Sequence, residues 1–147
     1  MQPVSRALTL VMKKSEEFIE DRIRWRAKQH DFPKRNTCFW EDSSEKFKNN
    51  LTQKVGKPIL ISISKNEDIV ILCSRGLIVV TDNQESSIKY EDIEELVSAP
   101  LNKHQPKSEM DHIDLLLKDG TNQKLVSEKG EAFFLVWNIL LMLVRMS

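Results

Sequence analysis

Cysteine, glycine and long apolar runs are scarce in this sequence, and each shortage excludes a class of protein. Cys38 and Cys73 are the only cysteines among 147 residues, and they form no CxxC pair. A chain of this length buries a core without disulfides or metals, and two distant cysteines are typical of reduced thiols. We therefore predict a cytoplasmic protein with free thiols.

The longest apolar run, residues 132–144, is about seven residues shorter than the roughly 20 that a membrane-spanning helix needs. The apolar stretch at 7–12 precedes its lysines instead of following them, which is the wrong order for a signal peptide. We expect no transmembrane segment, and we interpret 132–144 as a core helix.

Catalytic and metal-binding patterns are also missing. The four glycines are explained by turns and helix ends, so no glycine-rich phosphate loop exists. None of the three histidines has another histidine or a cysteine at metal-ligand spacing. Because no nucleophile, base and orienting group can be assembled, we expect no enzyme, metal or cofactor. A cysteine nucleophile stays open as an alternative.

The charge is balanced, with 22 basic and 22 acidic side chains, so we expect no nucleic-acid partner. The balance differs along the chain. Residues 1–56 contain 12 Lys and Arg against 8 Asp and Glu, a net +4, and residues 57–147 have a net −4. The two parts attract either each other or separate partners.

Residues 1–56 have a helical pattern. Apolar residues at intervals of three and four from Ser5 to Gln29 predict one long amphipathic helix that ends before Pro33. A second helix is predicted over 42–56, because Asp42 and Glu45 have the spacing of a capping box. We treat 1–56 as a two-helix N-terminal extension.

After Pro58 the apolar period changes from near 3.6 to 2, and the residue types change to Ile and Val. Asp119-Gly120 is a pair favoured in type I′ turns, residues 99–110 form a long loop, and residues 128–146 form a helix capped by Ser127. The predicted strands are 59–64, 69–73, 77–81, 87–90, 93–98, 112–118 and 121–127.

This order of elements resembles a pleckstrin-homology (PH) domain, and the bacterial PH-like proteins in particular. The resemblance covers about 57–147 and depends on Ile69–Thr81, Ser87–Leu96 and Phe133–Val144. It implies an α+β fold, in which a seven-stranded antiparallel, partly open barrel is closed by the C-terminal helix. It also implies a binding scaffold, and a fold alone does not name the ligand.

PH domains that bind inositol phosphates use basic residues around the first strand turn. Here that turn is Lys65-Asn66-Glu67-Asp68, with more acid than base, so we expect no phosphoinositide binding. The only basic cluster lies at residues 22–28 around Trp25, and upstream acidic residues at 16–21 favour ion pairs within the helix. A solvated face, a docking patch for an acidic protein and nucleic-acid binding are the alternatives.

The function we predict is a non-enzymatic PH-like interaction module that binds a protein partner or itself. The C-terminal helix is apolar nearly all round, so part of it needs cover beyond the barrel. The predicted interface residues are Phe134, Trp137, Arg22, Arg26, Glu91 and Asp92.

Two alternatives stay open. One is an enzyme of unknown activity. The other is a small immunity-type inhibitor whose acidic strands mask a basic site on a toxin. The acidic residues in question are Glu67, Asp68, Asp82, Glu85, Glu91, Asp92, Glu94 and Glu95.

Overall fold

Antiparallel strands and two helices make up the computed structural model, which describes residues 15–30, 32–33, 36–43, 51–52, 54–98 and 111–146. The helices are α1 (Glu16–Lys28) and α2 (Glu131–Met146), and short 3-10 turns cover Trp40–Asp42 and Tyr90–Asp92. The strands are β1 (Thr37–Phe39), β2 (Pro58–Ile63), β3 (Ile69–Cys73), β4 (Gly76–Thr81), β5 (Gln84–Lys89), β6 (Ile93–Ser98), β7 (His112–Leu117) and β8 (Asn122–Val126).

The strands form two antiparallel sheets. One has the order β1-β2-β3-β4-β5 and the other the order β6-β7-β8. Each of the seven predicted strands corresponds to one of β2 to β8, so the predicted α+β class with antiparallel sheets and a C-terminal helix is confirmed. In the described residues the two sheets are separate and do not join into a closed barrel.

Strand β1 was not predicted. It pairs with β2 in the register Thr37↔Ser62 and Phe39↔Leu60, at the edge of the five-stranded sheet. Three residues are too few to show an alternating pattern, and the contacts that hold them come from residues far along the chain. The buried Thr37 hydroxyl bonds to Ser62 at 2.8 Å and to the carboxylate of Glu128 at 2.7 Å.

The predicted helix over 42–56 is wrong at its described residues. Asp42 ends a 3-10 turn instead of capping a helix, and Leu51, Thr52 and residues 54–56 are not helical. Residues 44–50 and 53 lie outside the described residues. Leu51 and Val55 lie with Trp40 against the outer face of the five-stranded sheet.

Helix α1 confirms the described part of the predicted N-terminal helix. Ser15 is its N-cap, and its hydroxyl accepts a hydrogen bond from the Phe18 amide at 3.1 Å. The predicted start at Ser5 lies outside the described residues. Ile19, Ile23 and Ala27 are buried in the main core together with α2, so α1 packs on the C-terminal helix.

The five-stranded sheet is buried on both faces. Its inner face joins α1, α2 and the second sheet in the main core. Its outer face forms a second apolar cluster that includes Ile61, Ile71 and Ile78. All five residues of β3 are buried for this reason, and a strand buried on both faces has a continuous apolar sequence. Residues before and after position 56 therefore share both cores. A domain boundary at 56 stays a prediction from the sequence pattern.

One turn prediction needs correction. Asp119-Gly120 is not a type I′ turn, since positive φ occurs at Gly120 (90°) but not at Asp119. The Gly120 amide instead donates to the Leu117 carbonyl at 2.9 Å, and four residues, 118–121, join β7 to β8. The residues with the type I′ signature are Asp82 and Asn83, with φ of 52° and 63°, between β4 and β5.

Helix α2 begins at Glu131 and not at Glu128 as predicted. The Ser127 hydroxyl lies near the carbonyls of Asp111 and Glu128, so it caps no helix. No helix in the described part of the chain is long and apolar enough to cross a bilayer.

Candidate functional site

Helix α1 has two different flanks on either side of its buried stripe. The buried stripe has a residue every fourth position, at Ile19, Ile23 and Ala27. One flank contains Arg24, and the other contains Arg22, Trp25 and Arg26. Among the described residues, only the flank with Arg24 forms ion pairs with carboxylates.

Arg24 is neutralised within the chain. Its guanidinium bonds Glu20 at 2.9 Å and both carboxylate oxygens of Glu41 at 2.7 and 3.0 Å. It also lies 4.8 Å from the Phe39 ring centre. The bond to Glu41 raises the pKa of Arg24, and the same bond lowers the pKa of Glu41. The predicted ion pairing within the helix is confirmed for Arg24 and Glu20. The second pair, between Arg24 and Glu41, fixes α1 to the Trp40–Asp42 turn.

Neither Arg22 nor Arg26 pairs with the described acidic residues at 16–21, so the predicted neutralisation within the helix is wrong for them. The residues three and four positions before Arg26 are Ile23 and Arg22, and those before Arg22 are Ile19 and Phe18. In the part of the chain that the structure describes, neither arginine makes an ion pair.

Both arginines instead lie against Trp25. Their guanidinium carbons are 4.8 Å (Arg22) and 5.8 Å (Arg26) from its ring centre, within the range of cation–π attraction. The Trp25 side chain is nevertheless 47% exposed. The Nε of Arg26 is buried without a hydrogen-bond partner, so packing positions this side chain. We call Arg22, Trp25 and Arg26 the Trp25 cluster.

The outward side of α2 is apolar and half-buried. Phe134 and Trp137 contact the buried Phe133 ring, at centroid distances of 5.1 and 6.3 Å, and part of each remains accessible. Leu141, one turn after Trp137, is half-buried and packs against neither core cluster. We call Phe134, Trp137 and Leu141 the α2 face.

An acidic edge lies at the start of the three-stranded sheet. It consists of four exposed residues that make no ion pair with any described residue: Glu91, Asp92, Glu94 and Glu95.

The acidic edge is held in place by buried neighbours. The hydroxyl of Tyr90 donates to the Cys73 carbonyl at 2.7 Å, and burial raises the pKa of Tyr90 well above its ordinary value. The Lys118 amide donates to the Asp92 carbonyl at 2.9 Å. Val97, further along β6, is 41% exposed.

The three surfaces are neighbours through α2, which contacts α1, the Tyr90–Asp92 turn and β6. The structure thus places all six predicted interface residues on elements that meet at one helix. It does not unite the eight acidic residues of the inhibitor hypothesis. Those at 67, 68, 82 and 85 flank the β2–β3 and β4–β5 turns, and the acidic edge follows the opposite end of β5.

Cys73 and Glu128 have structural roles. Burial raises the pKa of the Cys73 thiol to about 12, which is unsuited to a nucleophile. The Glu128 carboxylate accepts bonds from the Asn36 amide at 3.0 Å and from the Thr37 hydroxyl, and the Glu128 amide donates to Ser62. Sequence reasoning missed this network, since its members are up to 92 positions apart. No group of three potential metal ligands occurs among the described residues.

No protein-family model, curated protein or solved structure shows significant similarity to this chain.

Proposed function

We propose that this protein is a non-enzymatic interaction module of PH-like architecture, and that it binds protein through the surface formed by the Trp25 cluster and the α2 face. The observation that carries the proposal is Trp25, an exposed aromatic held between two arginines that have no ion pair with any described residue. Tryptophan and arginine are the side chains most enriched among the residues that dominate protein–protein binding.

The Trp25 cluster is suited to binding because its arginine side chains are already partly ordered and still have hydrogen-bond donors. Arg22 and Arg26 lie against the Trp25 ring, so part of the entropy cost of ordering them is met before binding. Apart from the buried Nε of Arg26, their guanidinium donors form no ion pair with any described residue and can bond a partner's carboxylate. Arg24 provides the contrast, because its donors are occupied by Glu20 and Glu41.

The PH-like part of the proposal rests on the order of elements. Strands β2 to β5 form a meander, β6 to β8 form a second one, and α2 follows them and packs into the core. In this proposal β1 and α1 are additions to the PH-like pattern, and α1 supplies the binding surface.

Photo-crosslinking in the native cell tests the proposal. A benzophenone amino acid replaces Trp25 in the full chain, and the matched control places it at Lys124, an exposed residue of β8. We expect a discrete crosslinked protein at position 25 that is absent at 124 and diminished when Arg22 and Arg26 are changed to Ala. The same crosslinks at both positions would contradict the proposal.

The acidic edge favours a second candidate, an inhibitor that masks a basic protein site. Four exposed carboxylates within five residues, beside the exposed Val97, are suited to a basic partner. The crosslinker placed at Glu94 separates the candidates. A basic protein captured at 94 and not at 25 supports the inhibitor, and capture at 25 supports the first proposal.

We also expect no binding of phosphoinositide headgroups at the β2–β3 turn. That turn is closed by the Ser64 hydroxyl, which accepts from the amides of Asn66 and Asp68, and it presents Lys65 beside Glu67. One lysine next to a carboxylate is a poor match for several phosphates. Liposome sedimentation with and without phosphoinositide should show equal binding, and micromolar affinity that is lost in Lys65→Ala would contradict this expectation.

A further inference from the structure

We infer that a second copy of this chain occupies the proposed surface, in a two-fold dimer where the Trp25 cluster of each copy meets the acidic edge of the other. This inference rests on the proposed function and names its partner. It starts from an observation about charge: the described residues include a basic surface and an acidic surface whose charges are not paired with any described residue.

The position of α2 makes a reciprocal contact possible. This helix contacts α1, which contains the basic cluster, and also the Tyr90–Asp92 turn and β6, which contain the acidic edge. A two-fold axis that crosses the α2 face between these two surfaces exchanges basic for acidic. Each basic cluster then lies opposite the partner's acidic edge, and the same contact forms twice.

The chemistry of the three surfaces follows the usual arrangement of an interface. In the middle, the α2 face pairs with itself and buries Phe134, Trp137 and Leu141. At the two ends, arginines face carboxylates. An apolar centre with a polar rim is the common pattern of homodimers. Leu141 belongs to this centre as a half-buried leucine that packs against neither core cluster of the described residues.

The overall charge also permits self-association. The chain has 22 basic and 22 acidic side chains, so two copies experience no net repulsion near neutral pH. The attraction then depends on local complementarity, which ionic strength screens.

Charge reversal tests the dimer because the partner is the chain itself. One full-length variant has Arg22→Glu and Arg26→Glu, and a second has Glu91→Lys and Asp92→Lys. A matched control has Lys65→Glu and Lys124→Glu, the same total charge change as the first variant at exposed sites away from the surface. Sedimentation velocity over a range of concentrations gives the mass of each, and circular dichroism checks that each is folded.

We expect the wild-type chain and the control to reach twice the 17.1 kDa of one chain. Each reversed variant alone should dimerise more weakly by roughly tenfold or more, since like charges then face each other. An equal mixture of the two variants should recover the dimer, and so should one chain with all four substitutions. High salt should weaken the wild-type dimer and strengthen the self-association of each reversed variant.

Two results would overturn the inference. One is a wild-type chain that stays monomeric at several hundred micromolar, and the other is a mixture of reversed variants that dimerises no better than either alone. The proposed function fails separately. If the chain is monomeric but the crosslinker at position 25 captures a different protein, the module binds protein and only the second copy is excluded.

Discussion

At the scale of single residues, the three arginines of α1 show how position decides the role of one side-chain type. Arg22, Arg24 and Arg26 lie within five positions of each other. Arg24 has Glu20 one turn before it and Glu41 across the fold, and it forms ion pairs with both. Arg22 and Arg26 face away from both carboxylates and remain available to a partner.

Removing the Arg24 cation should destabilise the fold, whereas removing Arg22 should have little effect. We expect Arg24→Met to lower the free energy of unfolding at pH 7 by about 1 kcal/mol, a modest value because Glu41 is largely exposed. Arg22→Met is the matched control. Chemical denaturation of both variants measures the difference, and equal losses would contradict the assignment of the ion pairs.

The Arg24 effect should depend on pH. Hydrogen bonding to Arg24 lowers the pKa of Glu41, and burial, which alone would raise the pKa of Glu20, is outweighed there by bonds to Lys57 and Arg24. A carboxyl whose pKa is lowered in the folded state stabilises the fold at pH values above its ordinary pKa of 4.5. This contribution disappears as the pH falls through the folded-state pKa. The gap between wild type and Arg24→Met should therefore narrow below about pH 4.5.

The Cys73 thiol should be inert in the folded protein. It is fully buried, and burial raises its pKa to about 12, so both access and thiolate formation are suppressed. In a Cys38→Ser variant, we expect the remaining thiol to react with a disulfide reagent at pH 8 only as fast as the chain unfolds. Rapid reaction that does not change with added denaturant would show that Cys73 is accessible in the native state.

At the scale of elements, the type of a turn is harder to predict from sequence than the position of a strand. The strand alternation reports burial that repeats over five or six residues, whereas a turn type depends on two or three backbone angles. Asp119-Gly120 and Asp82-Asn83 both have turn residues, but the number of residues between the paired strands decides the type. That number is set by the sheet register, with Thr81 opposite Gln84 in one hairpin.

Gly120 should still be sensitive to substitution, because its φ is 90°. We expect Gly120→Val to lower the free energy of unfolding by more than about 1 kcal/mol, since a β-branched residue is strained at positive φ. No described atom lies within 4 Å of an added Cβ, so the cost comes from the backbone alone. Gly120→Asn is the control and should cost less, as asparagine tolerates positive φ. Equal thermal unfolding of all three proteins would contradict this expectation.

At the scale of the whole molecule, the N-terminal residues complete two cores. Ile19, Ile23 and Ala27 belong to the main core, and Leu51 and Val55 help to cover the outer face of the five-stranded sheet. Without them, both α2 and the outer sheet face would expose apolar surface. Exposed apolar patches of that kind promote association and aggregation.

A chain that begins at Gly56 should therefore be insoluble or should self-associate far more than the full chain. It lacks α1, β1 and the cover at Leu51 and Val55. Solubility, sedimentation and thermal melting measure the outcome. If the shortened chain is monomeric and as stable as the parent, the N-terminal residues are not part of the core.

Repeating local patterns in the sequence are enough to predict the seven strands β2 to β8, most of α2, and the described part of α1. The sequence also predicts Arg22, Arg26, Phe134 and Trp137 as interface residues, because charge clusters and an excess of apolar residues on one helix are visible along the chain, and this role stays a prediction. The period of burial is written into consecutive residues, so these elements need no knowledge of distant contacts.

The remaining features depend on contacts between distant residues, which the tertiary structure shows. It showed β1 through pairing with β2 and the bond from Thr37 to Glu128, and it placed Leu51 and Val55, which belong to the predicted helix, in non-helical packing against the outer sheet face. It also separated Arg24 from Arg22 and Arg26, because Glu41 reaches Arg24 across 17 positions. Contacts between distant residues override local propensity when they bury more surface or satisfy more charge, and no local pattern records them.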